Sequence, residues 1–174
     1  MNTSISDVIK KWGLIYGLIS VIIVFVSILS GLQEGGSIAV SVITWLISVG
    51  LAFTMYFLAT KEFREGNNQL LAFGKAYLIC LGVGLLGGLL KGLGFYLYVK
   101  VIDPAYMERM IEAQLAAQEQ FGGGASAQEM PEFMAFFQTA EFFAFSTFFS
   151  VILGALIIGL IVAAINQKKE DFSY

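Results

Sequence analysis

The stretch AYLICLGVGLLGGLLKGLGFYLYV, from Ala76 to Val99, decides the fold of this chain. It is almost entirely apolar, and its one charged residue is Lys91. A helix that crosses the hydrocarbon core of a bilayer needs about 20 consecutive, mostly apolar residues. Lipid offers the backbone no hydrogen-bond partners, so such a stretch spans as a helix, in which peptide groups pair internally.

Three further stretches of similar length carry no charge at all: Trp12–Leu32, Ile38–Thr60 and Phe142–Ile165. The chain is 57% hydrophobic and 13% charged, with a mean hydropathy of +0.79, whereas about 25% of the residues of a soluble domain are charged. The four stretches use most of the 174 residues. We therefore predict an all-α integral membrane bundle of four transmembrane helices, built as one membrane domain over residues 1–174.

Composition also narrows the function classes. The chain has no histidine and one cysteine, Cys80, so the usual ligands of zinc, haem and iron–sulfur sites are missing. The net charge of −3 and the lack of a basic tract give no basis for nucleic-acid binding. Serines and threonines in the spans have no histidine beside them, and they can bond to carbonyls one turn back. We expect no catalytic residue, no cofactor, no metal site and no enzyme activity.

Charges near the ends of the spans predict the orientation, because cytoplasmic loops are enriched in lysine and arginine. With the N-terminus inside, seven basic residues are cytoplasmic and two, Lys100 and Arg109, are outside. The outside then holds eight of the thirteen acids. Both termini are predicted to be cytoplasmic. The seven basic residues are Lys10, Lys11, Lys61, Arg64, Lys75, Lys168 and Lys169.

The loops follow from this orientation. Gln33–Ser37 is predicted to be a tight outer turn, and residues 61–75 a short polar inner loop. The acidic outer loop, residues 102–141, should be helical from Ala105 to Phe121, since Asp103 can cap a helix that Pro104 opens. Glycines at 122–124 end this helix, and Pro131 can start another. The loop is either a lid on the bundle or a linker without a role.

A row of small residues marks the third span. Gly84, Gly88 and Gly92 are four residues apart and share one helix face, which lets another helix approach closely. Ala155, Gly159 and Ala163 form a similar row in the fourth span. The two rows predict tight packing within the monomer, with a dimer face or a hinge as the alternative. Gly82, Gly87 and Gly94 add more flexibility than packing requires.

Lys91 is the one ionisable residue within a span, and such residues are functional candidates because charge is costly in hydrocarbon. Asp103 and Glu141, both near the outer interface, are its predicted acidic partners. One reading is a structural ion pair or a lysine that snorkels to the interface. The other is a site for an anion, a lipid headgroup or a proton.

Several segments together resemble a family of small four-helix bacterial membrane proteins, catalogued as a domain of unknown function numbered in the forty-one hundreds. They are Phe63–Asn67 (FREGN), Leu71–Tyr77 (LAFGKAY), Tyr96–Tyr98 (YLY), Ile102–Pro104 (IDP), Ala163–Ile165 (AAI) and the pair Lys168–Lys169. The resemblance covers nearly the whole chain. It implies a multi-pass protein of the bacterial inner membrane and brings no activity, cofactor or catalytic residue.

Two functions remain open. The first is a non-enzymatic structural, regulatory or interaction role among membrane lipids, with a homo-oligomer as one form. The second is a small oligomeric transporter or channel that uses Lys91 in the glycine-rich third helix. The two halves of the chain show no clear internal repeat, which disfavours an inverted-repeat carrier.

Overall fold

The computed structural model describes residues 3–31, 38–120 and 136–168, and five α-helices lie within these ranges. They are α1 (Ile5–Leu29), α2 (Ile38–Glu65), α3 (Phe73–Leu97), α4 (Tyr106–Gln120) and α5 (Ala140–Asn166). A π-helical turn, Tyr98–Ile102, extends α3, and a 3-10 turn, Phe136–Gln138, precedes α5.

Four of these helices (α1, α2, α3 with its extension, and α5) are long and apolar enough to cross a membrane. The predicted all-α bundle of four spans is confirmed, and the chain is a multi-pass membrane protein. The predicted turn Gln33–Ser37, the glycine break at 122–124 and the helix start at Pro131 lie outside the described residues.

The helices are longer than the apolar stretches that predicted them. α1 begins at Ile5 instead of Trp12 because its apolar face continues through Val8 and Ile9, while Lys10 and Lys11 are exposed. These positions follow the three-and-four-residue spacing of one helix face. α2 likewise continues to Glu65, and its Phe63 is buried.

α3 occupies the centre of the bundle, with extensive contacts to α1 on one side and α5 on the other. Successive spans run in opposite directions. We call the end of the bundle at Leu29, Ile38 and Ala140 the lid end, and the end at Ile5, Glu65 and Asn166 the base end. α2 has buried residues only from Ala52 to Phe63, in its half toward the base end.

The buried apolar residues form two separate clusters. The base cluster fills the half toward the base end and comprises Val8, Tyr16, Ala52, Met55, Tyr56, Ala59, Phe63, Leu71, Ala76, Ile79, Cys80, Val83, Val151, Ala155, Val162 and Ala163. The smaller lid cluster comprises Ile28, Phe95, Tyr98, Val99, Tyr106, Met107, Met110 and Ala140. α4 supplies three members of the lid cluster, so this helix lies on the lid end of the bundle.

Polar contacts tie the base end together. Leu71 and Lys168 exchange two backbone hydrogen bonds, of 2.9 and 2.8 Å, which join the loop before α3 to the end of α5. Glu62 accepts hydrogen bonds from Lys11 Nζ at 2.7 Å and from Trp12 Nε1 at 2.8 Å. The buried Asn166 donates to Thr60 Oγ1 at 2.7 Å. Such contacts hold both termini of the described chain to the short loop between α2 and α3.

α4 begins close to its predicted position, but Pro104 lies in the turn before the helix instead of in its first turn. α4 runs from Tyr106 to Gln120, within one residue of the predicted bounds at each end. Asp103 pairs with Arg109 through two hydrogen bonds, and its carbonyl accepts from Tyr106 N–H at 3.1 Å. Arg109 holds the pKa of the Asp103 carboxyl below its ordinary value, and the N–H groups of Ala105 and Tyr106 act in the same direction. Asp103 thus fixes the entry of the chain into α4.

Candidate functional site

A cavity of about 230 Å³ lies within the bundle. Its lining includes Tyr16 from the base cluster and Phe95 and Met110 from the lid cluster. The cavity therefore lies between the two apolar clusters. At this level α2 is in the part before Ala52, which has no buried residues.

All five helices contribute to the lining. It consists of Tyr16, Ser20, Ile23, Val24 and Ser27 from α1, Thr44, Ser48 and Leu51 from α2, Lys91 and Phe95 from α3, Met110 from α4, and Phe143, Thr147 and Ser150 from α5. Seven of these side chains carry a hydroxyl group and one carries an ammonium group. None of the described residues that line the cavity is acidic.

Lys91 supplies the single charge of the lining. It comes two turns after Gly84, so the two residues share a helix face, and Gly84 adjoins the hydroxyl of Tyr56 in α2. Gly84 lies between Tyr56 of α2 and Ala155 of α5, and Lys91 lines the cavity from the same side of α3. Lys91 is half-buried there, and among the described residues no acceptor lies within hydrogen-bond distance of its ammonium group.

The two acids predicted to pair with Lys91 have other partners. Asp103 pairs with Arg109, and Glu141 forms an ion pair of 2.9 Å with Lys100. The predicted ion pair between Lys91 and either acid is therefore wrong. Each acid lies beside its cation on the protein surface at the lid end, whereas Lys91 faces the cavity.

The hydroxyl groups reach the cavity in pairs from three helices. Ser20 and Ser27 are seven residues apart on α1, Thr44 and Ser48 four apart on α2, and Thr147 and Ser150 three apart on α5. These spacings place each pair on one helix face. The spacing of each pair is visible in the sequence. It indicates a shared polar site only when the three pairs are considered together with Lys91.

The sequence predicts that serine and threonine side chains in the spans can bond to backbone carbonyls one turn back, and only two of these six do so. Ser48 and Ser150 donate to the carbonyls of Thr44 and Thr147, at 2.9 and 2.8 Å. Within the described ranges, the side chains of Ser20, Ser27, Thr44 and Thr147 make no hydrogen bond. Their donors and acceptors are available to a bound molecule, since a hydroxyl hydrogen rotates to suit its partner.

The floor and roof of the cavity are aromatic. Tyr16 packs edge to face on Tyr56, with ring centroids 5.8 Å apart, and closes the side toward the base end. On the opposite side Tyr106 of α4 packs edge to face on Phe95 and Tyr98, at 6.3 and 6.1 Å. Met110, one turn further along α4, belongs to both the cavity and the lid cluster. α4 thus separates the cavity from the lid end.

The predicted small-residue rows meet inside the monomer. A Cβ atom placed on Gly84 would lie 2.5 Å from Ala155 Cβ, and one on Gly92 would lie 2.9 Å from the carbonyl oxygen of Ala144. Gly88 faces Val151 and Phe148. Gly159 faces Cys80, and Ala163 is fully buried. α5 therefore covers this glycine face, which leaves no room for a second copy there.

The remaining glycines of α3 also pack, against α1. A Cβ atom on Gly94 would lie 2.6 Å from Val21 Cγ2, and Gly82 and Gly87 face Ile9 and Tyr16. The expectation that these three add flexibility beyond packing is wrong, because each accommodates a large side chain of α1. Glycines on both faces let α3 lie between α1 and α5 and hold Lys91 at the cavity.

The arrangement has the chemistry of an anion-binding site. A cation and convergent hydroxyl donors favour negative charge, and the absence of a carboxylate from the described lining removes the main source of repulsion. In the described structure none of these hydroxyls makes a hydrogen bond to a basic side chain that could activate it as a nucleophile. The described residues also contain no cluster of three His, Cys, Asp or Glu side chains that could hold a metal ion.

A family model described as "Protein of unknown function (DUF4199)" matches residues 11–168. The chain belongs to this family. The DUF4199 match runs from α1 to the last residue described after α5 and includes every residue that lines the cavity. No curated protein and no solved structure matches the chain.

Proposed function

We propose that this DUF4199 protein is a non-enzymatic membrane protein with a regulatory or interaction role, which it performs by binding a small ligand in the cavity between its spans. The observation that carries the proposal is the cavity itself. Membrane bundles pack their helices closely, yet here a polar, lysine-containing space separates two apolar clusters. Ligand sites in helical proteins are commonly built between facing helices in this way.

The chemistry of the chain supports binding rather than catalysis. The sequence has no histidine to act as a general base, and histidine is the usual residue for that task near neutral pH. The single cysteine, Cys80 of α3, is buried against Gly159 of α5. The ionised acids Asp103 and Glu141 are held in ion pairs outside the cavity.

The proposed location is the bacterial inner membrane, with both termini in the cytoplasm. Support for the orientation comes from the seven-to-two distribution of basic residues between the predicted cytoplasmic and outer sides. The lid end, with α4, would then face the periplasm. The bacterial assignment rests on the resemblance of the sequence segments to small bacterial membrane proteins.

A second candidate function is a small oligomeric transporter or channel. The observation that favours it is Lys91, which faces a polar cavity from a helix with glycines toward both neighbours. Four spans are few for a carrier monomer, so this function requires a second copy. We propose the lid-end half of α2 as the surface for this copy, because it packs least within the bundle and exposes the apolar residues Val42, Ile43, Leu46 and Ile47.

A cavity-filling variant tests the proposed binding function. In Ser48→Phe the ring should occupy the cavity, whereas in Thr54→Phe the same ring should project from the exposed face of the same helix. Native mass spectrometry of protein taken directly from membranes into nanodiscs measures what stays bound. We expect a stoichiometric ligand on the wild type and Thr54→Phe, and its loss from Ser48→Phe. A wild type without any stoichiometric ligand would contradict the proposal.

A further inference from the structure

We infer that the cavity binds an oxyanion, a phosphate or carboxylate group, with the Lys91 ammonium as its counter-charge and the lining hydroxyls as its hydrogen-bond donors. The inference rests on the proposed binding function and adds the chemical class of the ligand. The same group could arrive as a free anion or as the headgroup of an acidic lipid, and the experiment below separates these two sources.

The first step concerns the charge of Lys91. A charged side chain within a membrane span is costly and ordinarily pairs with an opposite charge or with backbone carbonyls. Among the described residues Lys91 has neither, because both nearby acids, Asp103 and Glu141, are paired elsewhere. A bound anion would supply the counter-charge that the described protein residues do not.

The second step concerns how the donors are arranged. Six serine and threonine hydroxyls and that of Tyr16 line the cavity, but Ser48 and Ser150 donate theirs to backbone carbonyls. The hydroxyls that stay available come from α1, α2 and α5, and they belong to Ser20, Ser27, Thr44 and Thr147. They face the cavity from three sides, whereas the ammonium group comes from α3. An oxyanion has several oxygen atoms, each of which accepts hydrogen bonds, so it can use donors from several helices at once. A simple apolar ligand would leave this polar lining without partners.

The third step concerns size. A cavity of about 230 Å³ is smaller than the roughly 300–1,000 Å³ of sites for drug-sized ligands. It suits a compact anionic group and leaves no space for a large cofactor. For a lipid, the headgroup phosphate would occupy the cavity while the acyl chains remained outside, next to the exposed apolar residues of α2.

The experiment compares the wild type with Lys91→Met and Lys91→Arg. Methionine keeps the length of the side chain and removes its charge, whereas arginine restores a charge that binds phosphate. The two probes are inorganic phosphate, added to nanodiscs of phosphatidylcholine, and phosphatidylglycerol mixed into the nanodisc lipid. Thermal unfolding measures stabilisation, and native mass spectrometry measures retained phosphate or lipid.

One of the two probes should stabilise the wild type, and Lys91→Met should weaken that effect at least about tenfold, the loss expected for one charge-assisted hydrogen bond. Lys91→Arg should recover most of it. Stabilisation by phosphate in phosphatidylcholine identifies a free anion as the source. Retention of phosphatidylglycerol without competition from phosphate identifies a lipid headgroup.

Two results would overturn the inference. If Lys91→Met keeps the wild-type ligand with unchanged affinity while Ser48→Phe loses it, the cavity binds a neutral molecule, and only the oxyanion assignment fails. If the wild type responds to neither probe and retains no ligand at all, the proposed function fails with it. Should Lys91→Met not fold, Ser20→Ala with Ser27→Ala removes two donors and must weaken binding of the same probe.

Discussion

Gly92 shows how single residues set the spacing of this bundle. A Cβ atom there would lie 2.9 Å from the carbonyl oxygen of Ala144 and 3.7 Å from the backbone nitrogen of Phe148. Both neighbours are backbone atoms of α5, which cannot move aside as a flexible side chain does. Gly154, on α5, has no atom within 4 Å of such a Cβ position.

These two glycines should respond in opposite directions to the same substitution. Gly92→Ala should lower the free energy of unfolding by about 1–3 kcal/mol, because overpacking forces α3 away from α5. Gly154→Ala should raise it by about 0.5–1 kcal/mol, since alanine restricts the unfolded chain and meets open space. Equilibrium unfolding in mixed micelles measures both. Equal effects from the two variants would contradict the assigned packing.

The sequence singles out Lys91, which the structure places in the lining of the cavity, but the acids it predicts as partners are paired with other residues. A lone charge in an apolar stretch is visible in any sequence, but which acid it meets depends on where neighbouring side chains point. Arg109 follows Asp103 by six residues at the start of α4, and Lys100 reaches Glu141 across the lid end. These local ion pairs leave neither Asp103 nor Glu141 for Lys91. The paired hydroxyls were visible as well, but their convergence needs the bundle geometry.

At the scale of elements, α4 is the piece whose role the structure defines most clearly. Tyr106 is fully buried against Phe95 and Tyr98, and Met107 and Met110 are buried beside it. The sequence left open whether the loop that contains this helix is a lid on the bundle or a linker without a role. For the described residues of the loop, α4 packs on the lid end and covers the cavity.

Loss of the Tyr106 ring should release α4 from the bundle. Truncation of a large buried aromatic side chain to alanine costs about 3–5 kcal/mol, enough to undo the packing of one short helix. The reporter is Met107→Cys, which is buried in the folded lid, and the native Cys80 is fully buried. Tyr106→Ala should make this cysteine react rapidly with a maleimide. The exposed-site variant Glu108→Ala should leave it protected, and equal protection in both variants would contradict the lid assignment.

Acid should loosen the same helix through Asp103. Arg109 lowers the pKa of Asp103 in the folded state, so the ion pair stabilises the start of α4 fully above the ordinary value of 3.8 and is lost as the pH falls below it. A spin label on Glu112→Cys reports the mobility of α4. We expect mobility to rise below this pH. Asp103→Asn should be mobile already at neutral pH, and an identical pH profile in that variant would exclude Asp103 as the cause.

For the whole molecule, hydropathy predicted the four spans because each contains about 20 apolar residues, and that signal needs no tertiary information. It missed the ends of the helices, where Val8 and Phe63 remain buried although charged neighbours lower the local hydropathy. It also could not show that a cavity separates the base cluster from the lid cluster. That division follows from the course of α2, which has buried residues only from Ala52 onward.

The central claim is that a cationic, water-accessible cavity exists between the spans, and cysteine chemistry at Ser48 tests it most directly. The Ser48→Cys variant in nanodiscs is treated with an anionic and, separately, a cationic methanethiosulfonate, and the ratio of the two reaction rates is measured. The same ratio is measured for the double variant that carries Ser48→Cys and Lys91→Met. At an effective dielectric constant of about 20, two unit charges roughly 12 Å apart interact by about 1.4 kcal/mol, which speeds an anionic reagent about tenfold beside a cation and slows a cationic one about tenfold. We predict faster reaction with the anionic reagent, and a ratio of the two rates that falls by up to about a hundredfold without Lys91. A cysteine that reacts with neither reagent, or a ratio that Lys91→Met leaves unchanged, would contradict the account.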